Sequence, residues 1–264
     1  MAKLSKSEIE FYQANGYVVP DYKIPGRMLE QLRQALNETI ANNPEVRPEQ
    51  LASIHTAKAG PDDTKGHSTF LAVALNVELV ELVSGILGKN IIMWGAQLFC
   101  KPGNDGMEVP MHQDGQYWPI RPIATCTMWL AIDAADRDNG CLQVIPGSHK
   151  NGIHYKHQTE KRDALVLNQS VNDQRIFSMD SACIELEAGQ LSLHDVFLVH
   201  GSRPNQSGRR RAGFTVRYMP TAYVFNRNMT IPFAGYPVNW AEKPLWLVSG
   251  KDISGKNDLV IGHS

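Results

Sequence analysis

Residues 182–219 read ACIELEAGQLSLHDVFLVHGSRPNQSGRRRAGFTVRYM. Three runs within this stretch, ACIELE, VFLVHGS and RAGFTVRYM, are short and rich in apolar, β-branched and aromatic residues, and Asn205-Gln-Ser-Gly marks a turn between the second and third. The same texture begins just after Lys89, in IIMWGAQLFC (91–100), TCTMWLAID (125–133) and CLQVI (141–145), divided at Lys101-Pro-Gly, Asp138-Asn-Gly and Pro146-Gly-Ser. Six or more short strands with turn signals between them predict an antiparallel sandwich or barrel.

The first third has a different period. Ser5 and Glu8 have the spacing of a capping box, and Gly16 is placed to end that helix. Leu29, Leu32, Leu36 and Ile40 recur at helical spacing and share one face. A third helix is expected from about Ser68 to Leu87, stopping at Gly88. The fold class is therefore mainly β with flanking α-helices. With no repeat, low-complexity tract or Pro/Gly-rich linker, residues 1–264 are expected to form a single domain, the helical third packed on the β core.

Composition narrows the class of function. The 264 residues are 42% hydrophobic and 20% charged, with a formal net charge of −1. That balance gives no general attraction to nucleic acid or to an anionic membrane. Cys100, Cys126, Cys141 and Cys183 are far apart and form no CxxC, which argues against a zinc knuckle or a disulfide framework. The start, MAKLSKSEIEFY, lacks the apolar run of a signal peptide. FLAVALNVELVELVSGILG is interrupted by Asn76, Glu78 and Glu81 and reads as a core helix. The expectation is a cytoplasmic protein.

VPMHQDGQYW (109–118) sets His112 and Asp114 two residues apart. On an extended strand, residues i and i+2 project to one face, so the pair could hold one ion. His200, at the end of DVFLVHGS, is the best third ligand. Two histidines and one carboxylate on one face of an octahedral ion make the facial triad of non-haem Fe(II) oxygenases, with three positions left open. If HGSRPNQSGRRRAGFTV folds as a symmetric hairpin, His200 pairs with Arg211 and Ser202 with Arg209, and Arg211 and Ser202 line the metal pocket. A bulge in the loop favours Arg210 instead. A guanidinium grips a carboxylate through two parallel hydrogen bonds, which is what the distal carboxylate of 2-oxoglutarate requires. Its other end would take two iron positions and O₂ the last.

At these residues the sequence resembles the phytanoyl-CoA dioxygenase family, from EFYQANGYVV to RAGFTVRYM. The most specific parts are the HxD, NGCLQVIPGSHK, and His200-Gly-Ser with an arginine eleven residues after the histidine. The resemblance implies a double-stranded β-helix (a cupin-like jelly roll), iron at His112, Asp114 and His200, and 2-oxoglutarate at Arg211 and Ser202. It also implies an amide contact from Gln97 to the co-substrate and an aromatic, Trp118, at the site's mouth. His149 belongs to a family turn and is expected to be structural; His154, His157 and His194 are expected at the surface or behind the ligands. Because Asp114 is present, hydroxylation is favoured over chlorination. The implied reaction couples decarboxylation of 2-oxoglutarate, giving succinate and CO₂, to hydroxylation of a C–H bond.

Cations exceed what the co-substrate needs. Arg121, Arg203 and Arg217, with His55 and Lys58 in IHTAKAG and the aromatics Tyr117 and Trp118, suit a small polar or anionic substrate. An aminoalkylphosphonate such as 2-aminoethylphosphonate, or an amino-acid-like molecule, fits best. The alternatives are an acyl-CoA hydroxylase of the same family, or a cupin-like metal enzyme or binding module that does not use 2-oxoglutarate.

Overall fold

The computed structural model describes residues 2–56, 64–116, 118–229 and 240–263. The chain opens with α1 (Lys6–Asn15), β1 (Tyr17–Val18), α2 (Gly26–Asn42), α3 (Ser68–Ala74) and α4 (Val77–Leu87). There follow β2 (Ile91–Lys101), β3 (Val109–His112), β4 (Ile120–Arg121), β5 (Cys126–Ala131), β6 (Leu142–Val144), β7 (His157–Thr159) and β8 (Gln169–Val171). After α5 (Gln174–Phe177) come β9 (Ala182–Ile184), β10 (Leu191–Asp195), β11 (His200–Ser202), β12 (Arg211–Pro220), β13 (Val224–Phe225) and β14 (Trp246–Ser249).

The helices start and stop for local reasons. Both halves of the capping box form on α1: Glu8 N–H donates to Ser5 Oγ at 3.2 Å, and Ser5 N–H to the Glu8 carboxylate at 2.6 Å. Gly16 closes that helix in the left-handed region, φ 83°. The long helix expected over Ser68–Leu87 is two helices. Asn76 interrupts it: its side-chain oxygen accepts from the N–H groups of Glu78 (3.0 Å) and Leu79 (3.3 Å), capping α4 and turning it 49° from α3. No single helix among the described residues is long and apolar enough to cross a membrane.

Two antiparallel sheets carry the fold, one in the order β1-β10-β5-β12-β2-β14 and the other β3-β11-β6-β9. The expected double-stranded β-helix architecture is present. Alternation along β12 shows how it is layered. Ala212, Phe214, Val216 and Tyr218 join the main core with the apolar faces of α2, α3 and α4. Arg211, Thr215 and Arg217 point the other way, into a cavity lined also by His112 and His200 of the second sheet.

The expected β11–β12 hairpin does not form. β11 pairs with β3 and β6, and β12 pairs with β2 and β5, so the chain between them crosses from one sheet to the other. Asn205 holds the crossing, its amide donating to the carbonyls of Pro102 (2.8 Å) and Arg209 (2.7 Å). His200 therefore does not pair with Arg211, nor Ser202 with Arg209. Arg209 and Arg210 turn outward to Asp136 and Asp133, each at 2.8 Å, which leaves Arg211 as the inward arginine of the three.

Candidate metal centre and co-substrate pocket

The register of β11 against β3 sets His200 directly opposite His112. Opposed residues share a face, and the two rings lie 4.4 Å apart. Each imidazole is oriented by a backbone carbonyl: His112 Nδ1 meets Pro110 O at 2.8 Å and His200 Nδ1 meets Leu198 O at 2.9 Å. A proton on each Nδ1 leaves both Nε2 lone pairs facing one centre, as metal-binding histidines require.

Asp114 arrives differently from the expected alternation along a strand. β3 ends at His112, and Asp114–Gln116 form a 3-10 turn. Gln113 anchors that turn, its amide donating to the carbonyls of Ile153 (3.0 Å) and Phe197 (2.6 Å) and accepting from Tyr155 N–H (2.7 Å). The carboxylate is delivered with Oδ1 3.4 Å from His112 Nε2 and Oδ2 3.9 Å from His200 Nε2. One donor atom from each of the three residues lies within 4.8 Å of the others, and all three residues are buried.

The electrostatics suit a cation. Burial pushes the Asp114 carboxyl up, but His200, His112 and the Arg217 guanidinium outweigh it and hold the group well below the usual carboxylate range. Burial and the neighbouring His112 push His200 down to about 4. At neutral pH the site thus offers one carboxylate and neutral imidazole, the protonation states a divalent ion needs. Two nitrogens and an oxygen, fixed from behind by carbonyls, fit Fe(II) in a site with open positions.

Arg211 and Ser202 do converge, although from opposite sheets: Arg211 Nη2 donates to Ser202 Oγ at 3.4 Å. Arg211 Nη1 donates to Phe99 O at 3.0 Å, and the guanidinium lies 5.4 Å from the Trp129 ring. The group is buried, no carboxylate pairs with it among the described residues, and its Nε lacks a hydrogen-bond partner. Burial pushes this guanidinium down to about 10. A buried cation with an unspent N–H in the metal cavity fits the distal carboxylate of 2-oxoglutarate.

The other expected site residues separate into groups. Gln97 faces Arg217, accepting from its Nη2 at 3.1 Å. Trp118 is buried, 4.7 Å from Trp94, with the Arg217 guanidinium 5.3 Å from its ring. Arg121 turns back onto the carbonyls of Trp118 (2.9 Å) and Ile120 (2.6 Å) and lines no part of the cavity. His55 is buried edge-on to Trp246 at 4.8 Å, away from the cavity lining. Lys58 and Tyr117 lie outside the described residues. His149 bonds the carbonyl of Gln13 at 3.1 Å, a contact that ties its turn to α1.

His194 corrects the surface alternative. It is 2% exposed and lines the cavity, its ring 4.7 Å from that of His200. The signal was the alternation in LSLHD: Leu191 and Leu193 enter the main core, so Ser192 and His194 face inward. Thr127, Trp129 and Thr215 line the cavity by the same rule and were not expected.

A family profile described as "Phytanoyl-CoA dioxygenase (PhyH)" matches residues 12–213. The chain belongs to the phytanoyl-CoA dioxygenase family. It is accordingly a non-haem oxygenase that uses Fe(II), 2-oxoglutarate and O₂ and acts on a small molecule. A probable phytanoyl-CoA dioxygenase of Caenorhabditis elegans is 26% identical over 236 residues, covering 81% of this chain and 75% of the relative. A probable alpha-ketoglutarate-dependent hypophosphite dioxygenase of Stutzerimonas stutzeri is 28% identical over 142 residues, covering 53% of this chain and 49% of the relative. Among solved structures, the apo non-heme monooxygenase ThoJ superposes with a TM-score of 0.70 at 20% identity, covering 95% of this chain and 86% of that one. The fold is thus shared with that structure at low sequence identity.

Proposed function

We propose that this oxygenase hydroxylates a C–H bond of a small anionic or zwitterionic metabolite, with an aminoalkylphosphonate such as 2-aminoethylphosphonate the best candidate and an amino-acid-like molecule next. The observation that carries the reading is Arg217. It is a second inward guanidinium in the metal cavity, 5.3 Å from the Trp118 ring and 5.8 Å from that of Trp94, beyond the one assigned to the co-substrate. A guanidinium against aromatic faces is a seat for a phosphonate or carboxylate. The likeness to a relative named for hypophosphite, a phosphorus oxyanion, supports the same chemistry.

In this reading His112, Asp114 and His200 hold iron, and Arg211 with Ser202 binds the distal carboxylate of 2-oxoglutarate. Bound iron supplies the oxidative decarboxylation of 2-oxoglutarate to succinate and CO₂ that drives hydroxylation. The protein's own part is to hold, orient and exclude water. Trp129 fixes the Arg211 guanidinium from one side, Gln97 aims Arg217, and Trp94 and Trp118 pack against the Arg217 guanidinium. Residues 1–264 act here as one domain, since the helices supply the core behind the strands that carry the site; a cytoplasmic location is part of the same proposal.

The test is anaerobic loading with Fe(II) and 2-oxoglutarate, read as a weak visible charge-transfer band. Succinate release is then measured with 2-aminoethylphosphonate, amino acids and a long-chain acyl-CoA. Stimulation by the phosphonate supports the reading; stimulation by acyl-CoA alone defeats it. Asp114→Ala should abolish the band, and a retained band would remove the proposed ligand set.

A further inference from the structure

His194 is a histidine in the cavity that neither the proposed metal set nor the proposed substrate seat uses. β10 fixes it: the register sets His194 opposite Thr127 of β5 and Tyr17 of β1, with Leu191 and Leu193 locked in the core on the other face. The ring cannot turn outward without unseating the strand. It is fully enclosed, yet neither Nδ1 nor Nε2 has a hydrogen-bond partner among the described residues. Buried polar nitrogens are seldom left so, because nothing then replaces the water they gave up. Its Nε2 lies 4.0 Å from Oδ2 of Asp114, beyond hydrogen-bond reach; His200 Nε2 is 3.9 Å from the same oxygen, and Oδ1 is the oxygen nearer His112, at 3.4 Å.

We propose that His194 is a positioning residue for Asp114: its Nε2–H hydrogen-bonds one carboxylate oxygen while the other is committed to the metal. Asp114 is thereby held to one-oxygen binding, and a neighbouring coordination position stays open for the co-substrate. Rotation of the carboxylate on metal binding would have to bring Oδ2 from 4.0 Å to within about 3.2 Å of Nε2. This rests on the reading that His112, Asp114 and His200 hold the metal. Groups behind a ligand that fix its orientation are worth roughly 10- to 100-fold in metal affinity.

The experiment uses the full chain as wild type, His194→Phe and His194→Gln. Phenylalanine keeps a planar ring, somewhat larger than imidazole, and removes its donors; glutamine keeps an N–H. Co(II) affinity is measured by calorimetry, the Fe(II)–2-oxoglutarate band by anaerobic titration, and melting temperature without metal. The expected result is Co(II) binding weakened roughly 10- to 100-fold in His194→Phe and largely restored in His194→Gln. Metal-free melting of His194→Phe should be equal to wild type or higher, since two stranded nitrogens are gone. Wild-type affinity in His194→Phe, or a loss that glutamine does not restore, overturns the proposal. So does failure of His194→Phe to fold without metal, because the ring would then be serving the fold. If wild type itself binds no Co(II), it is the metal reading that fails.

Discussion

Arg211 shows how much of the site depends on one side chain and what packs against it. Its guanidinium is buried between Phe99 O, Ser202 and the Trp129 ring. Lysine cannot reproduce a planar fork, so Arg211→Lys should weaken 2-oxoglutarate binding at least about 10-fold, the loss of one charge-assisted hydrogen bond. Fe(II) or Co(II) affinity measured without 2-oxoglutarate should not change, and unchanged co-substrate affinity would move the role elsewhere. Gly213 supports the same seat from a distance. A Cβ there would lie 2.1 Å from Trp129 Cζ2, so Gly213→Ala must displace the indole on which Arg211 rests. Binding of 2-oxoglutarate should weaken and the melting temperature fall, both measurable without a substrate. At this scale the convergence of His112, Asp114 and His200 was legible because they keep short, recognisable local contexts. For His194 the alternation in LSLHD signals only that it turns away from the core, since a lone histidine there carries no spacing to a partner. Only the inward turn of β10 brings it to Asp114.

At the scale of elements, caps and register decide more than propensity does. The apolar run over 68–87 is continuous enough to read as one helix, and Asn76 alone breaks it by offering its side chain to Glu78 and Leu79. Asn76→Ala should cost about 1 kcal/mol, lowering the melting temperature by roughly 2–4 °C for a chain of this size. Metal affinity should stay the same, and a variant melting like wild type would show that the break has another cause. The β11–β12 connection teaches the opposite lesson. Its turn signals are those of a hairpin, yet the strands belong to different sheets. Ser202 and Arg211 meet across the cavity and not along a ladder. Short loops and β-branched flanks do not say which neighbour a strand will find, because pairing is settled by the whole sheet. The number and texture of the strands could be read locally; their order could not.

At the scale of the whole molecule, buried histidines in and near the cavity make stability depend on pH. Burial pushes His157 and His200 down to about 4, and burial with the nearby His200 pushes His194 down to about 3. Unfolded, each returns to the ordinary value near 6.5. Between about pH 6.5 and pH 4 the unfolded chain therefore binds more protons than the folded one, so folding stability rises with pH across that window and is lost on acidification. Asp114, held well below the usual carboxylate range, acts in the same direction at lower pH. Asp195, raised by burial, opposes it over part of the window, but one carboxyl is set against three histidines. The metal-free protein should melt markedly lower at about pH 5 than at about pH 7.5. His194→Phe removes one of the three contributions and should flatten the dependence. Fe(II) or Co(II) bound at neutral pH adds stability by occupying the deprotonated site, and acid should remove that increment as well. Differential scanning calorimetry of the metal-free and metal-loaded chain across this range separates the two effects. A metal-free melting temperature that stays level from about pH 7.5 to pH 5 would mean that His157, His194 and His200 are not held neutral by burial.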